Sequence, residues 1–216
     1  MMAILRYAFL KNMRDGSLAA FILGPVIMIV APLLGVSIVE KRGIVYPLSM
    51  NPHWTGVKTA AEVVPITLTV LALFGALAGF WAFRGEIVTR SIGSFVLAVR
   101  PIRVQIAAAI FGASAGLAGF LATSVLLFGL IGSIPPHPLR VVADATILCL
   151  CAASAGSLVV IIQSEPWAIL IVYVSGLFLL PWLMTSRGIL PEAGGLMLAA
   201  VCVAVSAFFL ERRCAT

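Results

Sequence analysis

Charge is scarce in this chain. Of 216 residues, 14 are Lys or Arg and 8 are Asp or Glu, about 10% in all, where a soluble domain carries about a quarter. Hydrophobic residues fill 62% of positions and mean hydropathy is +1.17. A small globular domain has too much exterior to hide that much apolar surface, so a soluble fold is excluded. Lysine occurs only as Lys11, Lys41 and Lys58, and none follows a glycine. A phosphate loop needs G-x-x-x-x-G-K-[ST]. The nearest approach, Lys58-Thr59, has Val57 and Pro52 where glycines are required, which excludes conventional ATP binding by this chain. His53 and His137 are the two histidines, and Cys149, Cys151, Cys202 and Cys214 form no CxxC. No metal or redox site is expected, and the cysteines read as small packing residues. Carboxylates are missing from the middle of every apolar run, which argues against an ion-coupled carrier or channel, the main alternative for a transport protein.

What is present is a series of long apolar stretches. Crossing a hydrocarbon core of about 30 Å takes roughly 20 apolar residues in a helix. Charge-free runs fall at 16–39, 63–83, 104–139, 145–164, 166–186 and 193–210, with Pro135-Pro136 marking the exit from the third. They lack the alternation of barrel strands, and backbone polar groups in lipid are satisfied within a helix. The expectation is an all-α integral membrane fold: one transmembrane domain over 1–216, with six transmembrane helices at about 17–38, 63–83, 104–131, 142–163, 166–184 and 193–210. With both termini in the cytoplasm, nine Lys and Arg fall inside and five outside, as the positive-inside bias prefers. The net charge of +6 then reflects loops facing anionic lipid, and no nucleic-acid partner is implied.

Residues 3–14 read as an interfacial amphipathic helix, with Ile4, Leu5, Ala8, Phe9 and Met13 on one face and Arg6, Lys11, Asn12 and Arg14 on the other. Gly75 and Gly79 form a GxxxG pair, as do Gly112 and Gly116, and Ala-Ser-Ala-Gly occurs at 113–116 and 153–156. Small residues at this spacing let helix backbones approach closely in lipid, within the chain or between copies. Helix breakers crowd into 181–195, which suggests a bent passage before the last span. Ser114 and Ser154 have no histidine at their depth, so an intramembrane hydrolase has no apparent general base.

The most informative stretch is 84–103, RGEIVTRSIGSFVLAVRPIR, between the second and third spans. Val88, Ile92, Phe95, Val96 and Val99 recur at helical spacing as one apolar stripe, with Arg90, Ser91, Ser94 and Arg100 mostly elsewhere around it. Pro101 closes the pattern. The spacing predicts one short amphipathic helix whose two ends are held by membrane helices. Glu86 has Arg84 and Arg90 as candidate local partners.

This stretch resembles the loop between the second and third helices of ABC-2 type transporter permeases. In that family an arginine and a glutamate leave helix two, a Gly-Ser/Thr pair follows on a short helix, and a proline precedes helix three. Here those are Arg84 and Glu86, Gly93 and Ser94, and Pro101. The amphipathic N-terminal segment, six spans and broken passage are similar in layout. The entirely apolar 95–99 departs from the acidic or polar continuation common in the family. The resemblance implies a non-catalytic permease subunit of an exporter in the bacterial inner membrane, working with a second permease copy. Arg84, Glu86, Arg90, Gly93, Ser94 and Pro101 would then couple to a separate cytoplasmic ABC ATPase that carries the ATP and Mg.

Overall fold

The computed structural model describes residues 1–27, 60–131, 137–163 and 190–215. Among them every regular element is an α-helix: α1 (Met2–Arg14), α2 (Ser17–Ile27), α3 (Ala60–Trp81), α4 (Arg84–Val88), α5 (Ile92–Ala98), α6 (Pro101–Ile131), α7 (Pro138–Ile162) and α8 (Leu190–Ala215). Three stretches are long and apolar enough to cross a membrane: Pro101–Leu126 in α6, Pro138–Ile162, and Glu192–Cys214 in α8. They mark the chain as a helical membrane protein. The expected fifth span at 166–184, the second half of the first, and most of the first outer loop lie outside the described residues, as does 181–189 of the expected broken passage.

Helix boundaries follow local chemistry. Pro101 opens α6 and Pro138 opens α7, both where a missing N–H is harmless and the ring's fixed φ suits a first turn. Pro101 therefore begins the third span's helix and does not merely precede it. At 31 residues α6 extends about 46 Å, well beyond the hydrocarbon thickness. Residues 190–195 of the expected broken passage are helical, with Pro191 near the start of α8 and Gly194-Gly195 in its first turns.

Helices α3, α6 and α7 form a packed trio, α8 lies against α7 and α6, and α1 rests on α6. The trio meets along its small residues. A methyl group at Gly79 would run into the backbone of Ala153, and one at Gly156 into the backbone of Ala76. At Gly112 it would stand 2.7 Å from both Gly79 N and Ala153 Cβ, and at Gly116 2.9 Å from Cys149 Sγ. Gly75 faces Cys149 across the same seam. The two GxxxG pairs and the second Ala-Ser-Ala-Gly string thus meet within one chain, where only hydrogen at Cα permits backbone contact. Hydroxyls at this depth turn back on their own helix: Ser154 donates to Leu150 O at 2.7 Å and Thr123 to Gly119 O at 2.7 Å. Between α7 and α8, Cys151 Sγ donates to Gly195 O at 2.9 Å.

The buried face of α1 differs from the one its sequence suggests. Ile4, Ala8 and Asn12 are buried, whereas Phe9 and Met13 stand open beside Met2. Asn12 is tolerated inside because its amide donates to Ala8 O at 2.7 Å and its oxygen accepts from Ser17 Oγ at 2.7 Å, tying α1 to α2.

Gly79→Ala and Gly156→Ala should each lower stability by about 1–3 kcal/mol, because a packed seam must part. Gly93→Ala, with nothing within 4 Å of the added methyl, should hold or raise it by up to about 1 kcal/mol. Thermal unfolding in detergent decides. A Gly79→Ala protein as stable as the parent would show that backbone contact does not hold the trio.

Candidate functional site

The segment joining α3 to α6 is built at one end of the bundle. Ala82 and Phe83 are buried as the chain leaves α3, and the Arg84 guanidinium lies 4.5 Å from the centre of the Trp81 ring and 6.0 Å from that of Phe80. A cation over an aromatic face is attracted by the ring quadrupole, so Arg84 is held along the end of α3.

Glu86 points inward. It is 6% exposed, and its carboxylate accepts from Lys11 Nζ at 2.7 Å on both oxygens and from the Tyr7 hydroxyl at 2.9 Å on Oε1. Its salt bridge is to Lys11, across 75 residues of sequence, rather than to the expected local partners Arg84 or Arg90. Tyr7 and Lys11 stand one helical turn apart on α1, so both reach the same side. A carboxylate this buried is costly without charge-assisted hydrogen bonds, and α1 supplies them. Partial burial raises the Tyr7 phenol above its ordinary value of 10.0, with the hydrogen bond to Glu86 and that carboxylate's charge adding to it.

The expected single amphipathic helix is two. After α4 the turn at 89–91 places Arg90 at φ 59, in the left-handed region, before α5 begins. Thr89 Oγ1 donates to Gly85 O at 2.8 Å and lies 2.9 Å from Ser91 Oγ. Hydroxyls that bond nearby backbone compete with helix continuation, which explains a break the apolar stripe does not reveal. In α5, Ile92 is buried, while Val96, and Val99 just past its end, pack partly against the core.

The opposite side of α5 is open. Ser94 is exposed, Gly93 has free space beside its Cα, and Leu97 is 92% exposed. At about 100° per residue these three share one face. Arg100 is exposed just beyond it, and Pro101 is half-buried at the start of α6. The six residues singled out in the sequence are therefore divided. Glu86 and Arg84 fasten the segment inward, Gly93 and Ser94 face out, and Arg90 and Pro101 mark its turn and its end. Gly75, Gly79, Gly112 and Gly116 belong to the interhelical seam that draws α3 and α6 together.

Three residues of consequence escaped the sequence reading. Lys11 and Tyr7 looked like interfacial positions, although their i, i+4 spacing was a usable signal for a shared partner. Leu97 fell outside the apolar stripe, and an apolar side chain off the stripe is itself a signal. Among the described residues no group of three or more His, Cys, Asp or Glu is placed to hold a metal. At the far end Arg140 reaches Glu192 of α8 at 3.9 Å, and His137 caps α7 at φ 59. No family model, curated protein or solved structure matches this chain.

Lys11→Glu or Glu86→Lys should each loosen α1 by about 3 kcal/mol, by burying like charges together. The double exchange should recover most of that loss, read as protection of the N-terminal segment from limited proteolysis. Failure of the exchange to recover any protection would deny the pair its role. A second test is alkaline. With its folded-state pKa raised, Tyr7 contributes stability that is full below pH 10 and lost as pH rises through the folded value. Tyr7→Phe should flatten that part of the alkaline stability loss, and an unchanged profile would count against the bond.

Proposed function

We propose that this chain is the membrane-spanning permease subunit of an ATP-driven ABC exporter in a bacterial inner membrane. In this reading both termini are cytoplasmic, six helices span, and a second permease copy completes the translocation pathway. The observation that carries it is the short α4–α5 segment, strung between α3 and α6, fastened inward through Glu86, and presenting Leu97 outward. A leucine left 92% exposed beside Gly93 and Ser94 gains by covering, and a separate cytoplasmic ATPase is the partner that the family resemblance supplies.

On this reading the chain binds no nucleotide itself; ATP and Mg sit on the partner. Closure of the ATPase pair pushes on α5. Because α4 is tied to α1 and both ends of the segment continue into spans, the push is delivered to α3, α6 and α1 together. The switch is a rigid-body one between packed arrangements. Spans without a central carboxylate fit apolar or amphipathic cargo, moved by ATP rather than by an ion gradient.

The test is purification of the tagged chain in mild detergent, with mass spectrometry and an ATPase assay. A P-loop ATPase should be recovered in stoichiometric amount. Leu97→Asp should cost the fold less than about 0.5 kcal/mol, since the side chain touches little, yet reduce ATPase recovery by at least tenfold, as loss of an interface anchor does. A well-folded protein recovered without any ATPase in several detergents would instead support a stand-alone carrier or channel.

A further inference from the structure

Beside the docking face lies a groove of about 650 Å³. Its apolar lining includes Ile87 and Val88 of α4, Ile92 of α5, Ile161 at the end of α7 and Leu210 near the end of α8. Among the described residues, the charged ones lining it are Arg90 and Arg213. The volume is that of an ordinary ligand site. It sits where α7 and α8 finish their apolar stretches, as a headgroup site at a membrane boundary would.

We infer that this groove is a binding site for an anionic phospholipid, with the phosphodiester between Arg90 and Arg213 and acyl chain along Ile161 and Leu210. Three observations converge. Two guanidiniums line one groove, one from the 89–91 turn and one from α8, and arginine recognises a phosphodiester through paired N–H donors. The apolar lining fits a hydrocarbon tail, and a free inorganic anion would leave it uncovered. Arg90 holds a left-handed backbone that a non-glycine residue seldom adopts, and strain of this kind collects at ligand clamps. Basic pockets between membrane helices are a recurrent way to hold acidic headgroups. The inference goes beyond the exporter reading and does not depend on it, because it concerns lipid held by the chain alone.

The experiment is native mass spectrometry of delipidated protein titrated with phosphatidylglycerol or phosphatidylcholine. Phosphatidylglycerol should bind at one tight site and phosphatidylcholine should not. Arg90→Gly is the informative variant, because it removes the guanidinium and relieves the positive φ together, so the fold does not suffer. Combined with Arg213→Ala it should weaken binding about 25-fold, at roughly fivefold per basic residue near a membrane surface. Arg212→Ala should change binding little, since that guanidinium lies 4.5 Å over the Phe208 ring. Equal binding of both lipids, equal loss in all three arginine variants, or displacement by excess inorganic phosphate would each overturn the assignment. The last would mark a soluble-anion site. Binding unchanged in Arg90→Gly with intact helix content would overturn it as well.

Discussion

In hydrocarbon an apolar side chain gains little by turning toward another, since lipid tails are equally apolar. What holds α3, α6 and α7 together must therefore be close backbone packing, and five glycines with Ala153 make that approach possible. The seam matters beyond stability. The segment from Arg84 to Arg100 is strung between the end of α3 and the start of α6, so the spacing of those two helices sets its span. Larger residues at Gly79 or Gly112 would widen that spacing and shift the ends of α4 and α5.

The second constraint is electrostatic. Glu86 is a buried carboxylate at the edge of a low-dielectric bundle, and Lys11 and Tyr7 neutralise and orient it. This makes α1 part of the same mechanical unit as α4, although 75 residues separate the paired side chains. The helix also keeps Met2, Phe9 and Met13 open on its far side. It is thus fastened to protein on one face and leaves apolar groups open on the other. A displacement of α4 would carry α1 with it.

The parts of this arrangement legible in sequence are those governed by short-range periodicity. The scarcity of charge identifies the solvent as lipid, the apolar runs locate α6, α7 and α8, and the GxxxG spacing marks a packing seam. What periodicity cannot carry is a meeting between distant elements. Nothing local distinguishes Lys11 as the partner of Glu86 from Arg84 or Arg90, which are nearer in sequence. The division of α4 from α5 was hidden for a different reason. Val88, Ile92, Val96 and Val99 keep helical register across the break, so the stripe reads through it, and only the hydroxyl bonds of Thr89 and Ser91 reveal the interruption. The face of α1 was misjudged because Asn12 is polar yet buried, its demands met by Ala8 and Ser17.

That unbroken register has a consequence for Arg90. A single residue in the left-handed region separates two helices whose apolar stripes would join smoothly if its φ became negative. The left-handed residue that divides them costs about 1–2 kcal/mol, which the hydroxyl bonds of Thr89 and Ser91 and the burial of Ile92 offset. The turn at 89–91 is in that sense a fixed corner, with α4 anchored to α1 through Glu86 and α5 seated by Ile92 so that Leu97 is turned outward.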